Sequence, residues 1–138
     1  MKYKVVAPTK QGKQVVFSFV DSPRKIVFDY IRAINSPKHF LLPNREVIIR
    51  WRYSDEGLLL EEPRVNERIA FLGLHPCDAN AIAILDKVML EEPYDPYYSI
   101  RRRNSLVVVL DCIESDDYCF CESVNSRTPW EGAYDLWL

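Results

Sequence analysis

Apolar positions fall into three rhythms along this chain, and each rhythm predicts a different element. Tyr3 to Val6 and Gln14 to Val20 are β-rich runs separated by the polar connection Pro8 to Lys13, which predicts an N-terminal β-hairpin with a longer loop. Strict alternation returns in Glu46 to Tyr53, where Ile49, Trp51 and Tyr53 fall on one face and Arg50 and Arg52 on the other. That pattern predicts a half-buried strand, turning at Ser54 to Gly57 so that Leu58 to Glu61 pairs back across it. After the polar break Glu61-Glu62-Pro63-Arg64, two continuously apolar runs follow, Ile69 to Leu74 and Leu106 to Leu110, as expected of strands covered on both faces.

Helical spacing appears three times. Asp21-Ser22-Pro23 is a helix-start signature, and Ile26, Val27, Tyr30, Ile31 and Ile34 then predict an amphipathic helix from Pro23 to Ile34. Ile82, Leu85, Val88 and Met89 mark a second helix over Ala79 to Leu90, with Pro93 as a stop beyond it. Asp95-Pro96 begins a shorter one over Tyr97 to Arg103. Phe40 to Leu42, lying between prolines, reads as a loop anchored in the core, and the stretch ending Leu136-Trp137-Leu138 as a strand whose side chains are buried in the chain's own core or against something else.

These elements predict an α/β or α+β fold: one domain over residues 1–138, with a mixed sheet, the N-terminal hairpin and a strand-helix-helix-strand unit. Such a crossover places both of its strands' C-terminal ends on one edge of the sheet, where open α/β sheets gather ligands. Cys77 and Cys112 stand just past those two ends.

Composition narrows the function. Apolar residues make up 48% and charged residues 28% of 138, the balance of an ordinary globular protein. A net charge of -2 provides no general attraction to a phosphate backbone, so nucleic acid is not an expected partner. No apolar run approaches the roughly 18 to 20 residues of a membrane span. The N-terminal Met-Lys-Tyr-Lys-Val-Val-Ala-Pro has no signal-peptide pattern, and the expected location is the cytoplasm.

In a reducing cytosol the four cysteines are metal ligands, catalytic groups or core residues rather than disulfides. Cys119 and Cys121, one residue apart, would strain a disulfide between them. Cys112, Cys119 and Cys121 share one loop, and with Cys77 they make the four thiolates that an iron-sulfur cluster takes. A four-cysteine zinc site in a protein-interaction module without redox activity is the alternative, although structural zinc sites usually use paired knuckles with two to four residues between cysteines. Free thiols remain a third reading, with Cys77 as the reactive group of a thiol-based redox enzyme, or as an inert packed residue near a helix N-terminus.

Other polar groups have plainer readings. Asp78 suits a helix cap, and His75 a hydrogen bond to a backbone carbonyl or to a cluster sulfur, while His39 has no chemical role. Arg101-Arg102-Arg103 reads as a solvated helix end opposing the helix dipole, or as a docking patch or counter-charge for an anionic cluster. Tyr94, Tyr97 and Tyr98 read as packing residues, and no acid, base or nucleophile constellation stands out as catalytic.

The strings Gly73-Leu74-His75-Pro76-Cys77-Asp78, Asp95-Pro96-Tyr97-Tyr98, Arg101-Arg102 and Asp111-Cys112 followed by Cys119-Phe120-Cys121 occur here in one order. In these the chain resembles the N-terminal region of sulfhydrogenase β subunits and of the related iron-sulfur electron-transfer subunit of anaerobic sulfite reductases, from about Phe40 to Leu138. The resemblance implies an electron-transfer subunit of a hydrogenase or sulfite reductase type complex, working between a flavin- and nicotinamide-binding partner and a catalytic subunit. It also implies that Cys77, Cys112, Cys119 and Cys121 ligate a 4Fe-4S cluster. The chain departs from the family in two respects. The ferredoxin-type Cys-x-x-Cys-x-x-Cys-x-x-x-Cys-Pro run is absent, as expected if these residues correspond to the N-terminal part of a longer iron-sulfur subunit or form a small stand-alone relative. The loop Ile113 to Tyr118 is more acidic, which would lower a cluster's potential if its carboxylates pointed inward.

Overall fold

The computed structural model describes residues 2–62 and 65–138. Pro63 and Arg64 of the expected polar break lie outside the described residues. Strands β1 (Lys4–Gln11) and β2 (Gln14–Val20) form the expected antiparallel hairpin, but its turn is only Gly12-Lys13 rather than a long loop. A two-residue turn asks for positive φ at its first position, and Gly12 supplies +63°. Pro8 is tolerated inside β1 because the neighbouring parallel strand pairs only with Lys4 to Val6, so no ladder bond is asked of the missing amide.

A second hairpin follows, β3 (Arg50–Ser54) with β4 (Gly57–Glu61), in the expected register: Trp51 opposite Leu60 and Tyr53 opposite Leu58. Its expected half-burial is corrected. Every residue of both strands is exposed, Trp51 at 65% and Tyr53 at 76%, because the two strands form a separate sheet that does not join the main one. Alternation marks which residues share a face but not whether anything covers that face.

The main sheet continues with β5 (Ile69–Leu74), and the chain then crosses over through helices α1 (Pro76–Met89) and α2 (Pro96–Arg103) to β6 (Ser105–Val109). A short β7 (Leu136–Trp137) completes the order β2-β1-β5-β6-β7, with all neighbours parallel except β1 and β2. This is the expected mixed sheet with an N-terminal hairpin and a strand-helix-helix-strand crossover. Val6, Phe71, Val107 and Val109 from the central strands, Ile82 from α1 and Tyr98 from α2 form its core. Phe71 is completely buried, and truncating such a side chain to alanine costs roughly 3 to 5 kcal/mol. Leu41 is also fully buried, with Phe40 and Leu42 packed beside it, as expected of that loop.

Three expectations about local structure are revised. Between Pro23 and Ile34 there is a single 3-10 turn, Pro23–Lys25, and no helix. The backbone of this segment bonds to the first hairpin instead: Val27 N–H donates to the Pro8 carbonyl and Ile34 N–H to the Val15 carbonyl, each at 2.9 Å, and Ile26 bridges Thr9. Asn35 then clamps Phe17 through both its amide and its carbonyl, covering the free edge of β2. The result is a strap laid along the hairpin. At the other end of the chain, Leu136, Trp137 and Leu138 are 50%, 42% and 62% exposed, so of the two expected settings burial in the chain's own core does not occur, β7 being an edge strand.

The third revision concerns the arginine run. Arg101 bonds the Glu46 carboxylate and the Leu41 carbonyl, and Arg102 bonds Asp86 at 2.9 Å while the Tyr98 hydroxyl donates to that same carboxylate at 2.7 Å. Only Arg103 of the three faces solvent, so the run tethers α2 to α1 and to the loop before β3 rather than forming a basic patch. Tyr97 and Tyr98 serve packing and anchoring, Tyr97 donating to the Ile48 carbonyl at 2.5 Å.

Candidate functional site

The crossover brings the ends of β5 and β6 to one edge of the sheet, and the cysteine-bearing segments follow from there. At the end of β5 the strand register shifts between Leu72 and Leu74, with Gly73 at φ +79°. A β-carbon at Gly73 would crowd the Phe28 ring at 3.4 Å as well as strain the backbone, so glycine alone suits this bulge. The bulge leads into His75, the N-cap of α1, then Pro76 at the first helical position and Cys77 immediately after it. Cys112 lies three residues past the end of β6, and its Sγ bonds the Glu114 carbonyl at 3.0 Å.

All four cysteines line one cavity of about 370 Å³. Its walls are mostly apolar, from Ile31 of the strap, Ala81 and Ile84 of α1, and Phe120, Val124 and Trp130 of the C-terminal segment. Arg32 and Arg127 add two guanidinium groups to the lining. Among the described residues, no three His, Cys, Asp or Glu side chains converge tightly enough to hold a single metal ion. That donor set of four thiols in an apolar cavity, with cationic groups at its wall, fits a thiolate-bound metal cofactor.

Burial and neighbouring charges shift two of the four thiols. A thiol at a helix N-terminus is expected to ionise easily. Cys77 does the opposite: burial, followed by the nearby Asp78 charge, pushes it up to about 12, although its surface opens onto the cavity. Cys112 is likewise raised by burial and by the charges of Cys119 and Cys121, against the pull of Arg127. Ionising these thiols together is unfavourable unless a cationic centre lies between them, and metal coordination supplies such a centre.

The neighbours of the cysteines are tightly placed. His75 is buried, and Tyr30 of the strap stacks on it with ring centroids 4.1 Å apart. Burial lowers the His75 pKa, opposed by a hydrogen bond with the Ile31 backbone and by the Asp111 charge. That backbone bond is one of the two readings expected for His75. Asp78 takes the third helical position and bonds the backbone of His75 as a capping-box residue does, while burial raises its carboxyl to about 6. His39 sits exposed in the 3-10 turn Pro37–Phe40, away from the cavity lining.

Two residues outside the cysteine set hold the cavity's outer wall. Asn80, fully buried in α1, donates to the Ser126 hydroxyl (3.2 Å) and the Thr128 carbonyl (2.9 Å) and accepts from Trp130 N–H (2.7 Å). Asp116 organises the cysteine loop. Its Oδ1 accepts from Tyr118 N–H at 3.0 Å and from the Cys119 thiol at 3.4 Å, and its carbonyl accepts from Cys119 N–H. The acidic character of this loop is therefore partly internal, while Glu114 and Asp117 are exposed. Neither Asn80 nor Asp116 was identifiable as a site residue in the sequence, because each acts through partners distant from it or through a turn that only the folded loop defines.

Over 135 residues, 98% of this chain, the sequence is 33% identical to Sulfhydrogenase 2 subunit beta of Pyrococcus furiosus. This likeness supports a place in the sulfhydrogenase β-subunit family. It spans 39% of the length of that relative, as an N-terminal region would. No family model matches the chain, and no solved structure does. Among the described residues, no helix of this sulfhydrogenase β-subunit relative is long and apolar enough to cross a membrane.

Proposed function

We propose that the chain is an electron-transfer portion of a hydrogenase-type complex, in which Cys77, Cys112, Cys119 and Cys121 hold a 4Fe-4S cluster. The observation that carries this reading is the meeting of four cysteines, from the start of α1, the loop after β6 and the Cys-x-Cys segment, around one apolar cavity at the sheet edge. Kinship with a protein named as a subunit supports an assembly, and the relay reading places this chain between a flavin- and nicotinamide-binding partner and the catalytic subunit of a hydrogenase or sulfite reductase type complex. Residues 1–138 are read as one unit, equivalent to the N-terminal part of a longer iron-sulfur subunit, acting in the cytoplasm.

When bound, such a cluster supplies one-electron redox chemistry. The chain's own contribution is to present four thiolates, exclude water with Ile31, Ile84 and Trp130, and set positive charge from Arg32 and Arg127 against the negative charge of the ligands. Cys77 is not a thiol-based catalyst in this reading, since its raised pKa leaves little thiolate at neutral pH.

Anaerobic purification with iron, sulfide and zinc analysis tests the proposal. Near-stoichiometric iron and sulfide, with broad visible absorbance that bleaches on adding dithionite, is the expected outcome. Each Cys→Ser change should abolish or strongly weaken cluster retention. Colourless protein carrying one zinc per chain would replace the relay with a zinc-stabilised interaction module.

A further inference from the structure

The strap that replaces the expected first helix reaches the cysteine loop through one side chain. Arg32 Nε donates to Asp116 Oδ2 at 2.7 Å, across 84 residues of sequence, and its guanidinium carbon stands 4.7 Å from the centre of the Tyr118 ring. The same Asp116 carboxylate, through Oδ1, holds Tyr118 N–H and the Cys119 thiol, and Asp116 N–H points back to Cys119 Sγ at 3.4 Å. One guanidinium thus grips both the carboxylate that shapes the turn and the aromatic ring inside it. The strap end that carries Arg32 is itself fixed, by Ile34 N–H on the Val15 carbonyl and by Tyr30, whose hydroxyl donates to the Gly73 carbonyl at 2.8 Å.

We infer that Arg32 is a positioning residue for the thiolate site: through Asp116 and Tyr118 it fixes the turn that carries Cys119 and leads directly to Cys121. The inference rests on the cluster reading above. Cys77 and Cys112 follow the ends of core strands and are placed by the sheet, whereas Cys119 and Cys121 lie in a segment without helix or strand. Unless that segment is tied to the rest of the fold, ordering two ligands costs conformational entropy at the moment of binding. Arg32 provides the tie, and as a cation lining the cavity it also adds positive charge beside the thiolates. Lysine could supply the charge, but it lacks the planar fork that bonds a carboxylate while lying over a ring.

The test compares wild type, R32Q, R32K, D116N and R32Q/D116N, each reconstituted anaerobically with ferrous iron and sulfide. Iron per chain, the rate of iron loss to excess chelator followed by visible absorbance, and the midpoint potential are read for each. R32Q and D116N should each speed iron loss roughly 10- to 100-fold, the range for ligand-orienting partners. The double variant should be no worse than the poorer single one, and R32K should recover part of the loss. R32Q should also shift the midpoint potential to more negative values, which a merely structural contact would not do. Metal-free melting temperatures should stay together, because the Arg32 side chain is 52% exposed and surface ion pairs add little stability. R32Q that keeps iron at the wild-type rate, or effects that simply add in the double variant, overturns the positioning role and leaves the cluster reading intact. Wild type that takes up no iron and sulfide overturns both.

Discussion

The Tyr30 ring lies flat on the His75 imidazole, centroids 4.1 Å apart and planes within 8° of parallel, joining the strap to the residue that starts α1. Tyr30 also meets Phe17 edge-on and bonds the Gly73 carbonyl, so it connects the hairpin, the bulge and the cavity wall. Tyr30→Phe should cost about 1 kcal/mol, the net worth of one hydrogen bond, and Tyr30→Ala about 3 kcal/mol. Urea unfolding of the metal-free protein measures both. A Tyr30→Ala variant within about 0.5 kcal/mol of wild type would show that the strap does not support the site.

Asn80 satisfies three partners in the segment that follows the last cysteine. Replacing it by alanine strands Trp130 N–H and the Thr128 carbonyl in a partly buried setting, for a loss of about 1 to 3 kcal/mol. Tryptophan fluorescence should report the change directly, because Trp130 Nε1 also bonds the Asn125 carbonyl and its ring lines the cavity. An unchanged emission maximum and unchanged stability would count against this role for Asn80.

Asp78 should make the metal-free protein less stable as pH rises. Its carboxyl is raised from 3.8 to about 6 in the fold, so the folded state favours the protonated form. The stabilisation is complete below the unfolded value near 3.8 and disappears as pH climbs through about 6, a change on the order of 3 kcal/mol. Asp78→Asn should flatten that dependence between pH 4 and pH 7.5 in thermal melts. A variant with the wild-type slope would place the dependence elsewhere.

Cys77 should be a slow nucleophile in the metal-free fold. With its thiol pushed up to about 12, against 9.0 for an ordinary cysteine, alkylation by iodoacetamide at pH 8 should be at least roughly tenfold slower than in the urea-unfolded chain. Peptide mapping of the alkylated protein gives the rate for Cys77 alone. Faster labelling in the folded protein would revive the reactive-thiol reading.

Much of the fold was legible because periodicity reports directly on elements that make their own hydrogen bonds. The apolar runs at Ile69–Leu74 and around Val107, with the helical stripe through Ile82, were enough to predict the crossover and the shared edge. The helical rhythm from Ile26 to Ile34 misled. The same spacing also fits a strap whose backbone donors bond an adjacent strand, and only the tertiary setting chooses between the two. The β3–β4 hairpin was correct in pairing and wrong in burial for a related reason: side-chain alternation carries no information on what, if anything, packs against a face.

The sequence by itself determined the inventory of the site, four cysteines with two of them just past the ends of apolar strands, because thiols and strand patterns are local properties. Tertiary structure decided which groups surround those thiols. Arg32 reaches the cavity from a segment remote in sequence, Tyr30 stacks on His75 from the same strap, and Asn80 ties α1 to the segment after the last cysteine; the direction of the Cys77 pKa shift follows from burial that no local pattern encodes. Burial and long-range hydrogen bonds are relations between segments, so they take definite values only when the chain has folded.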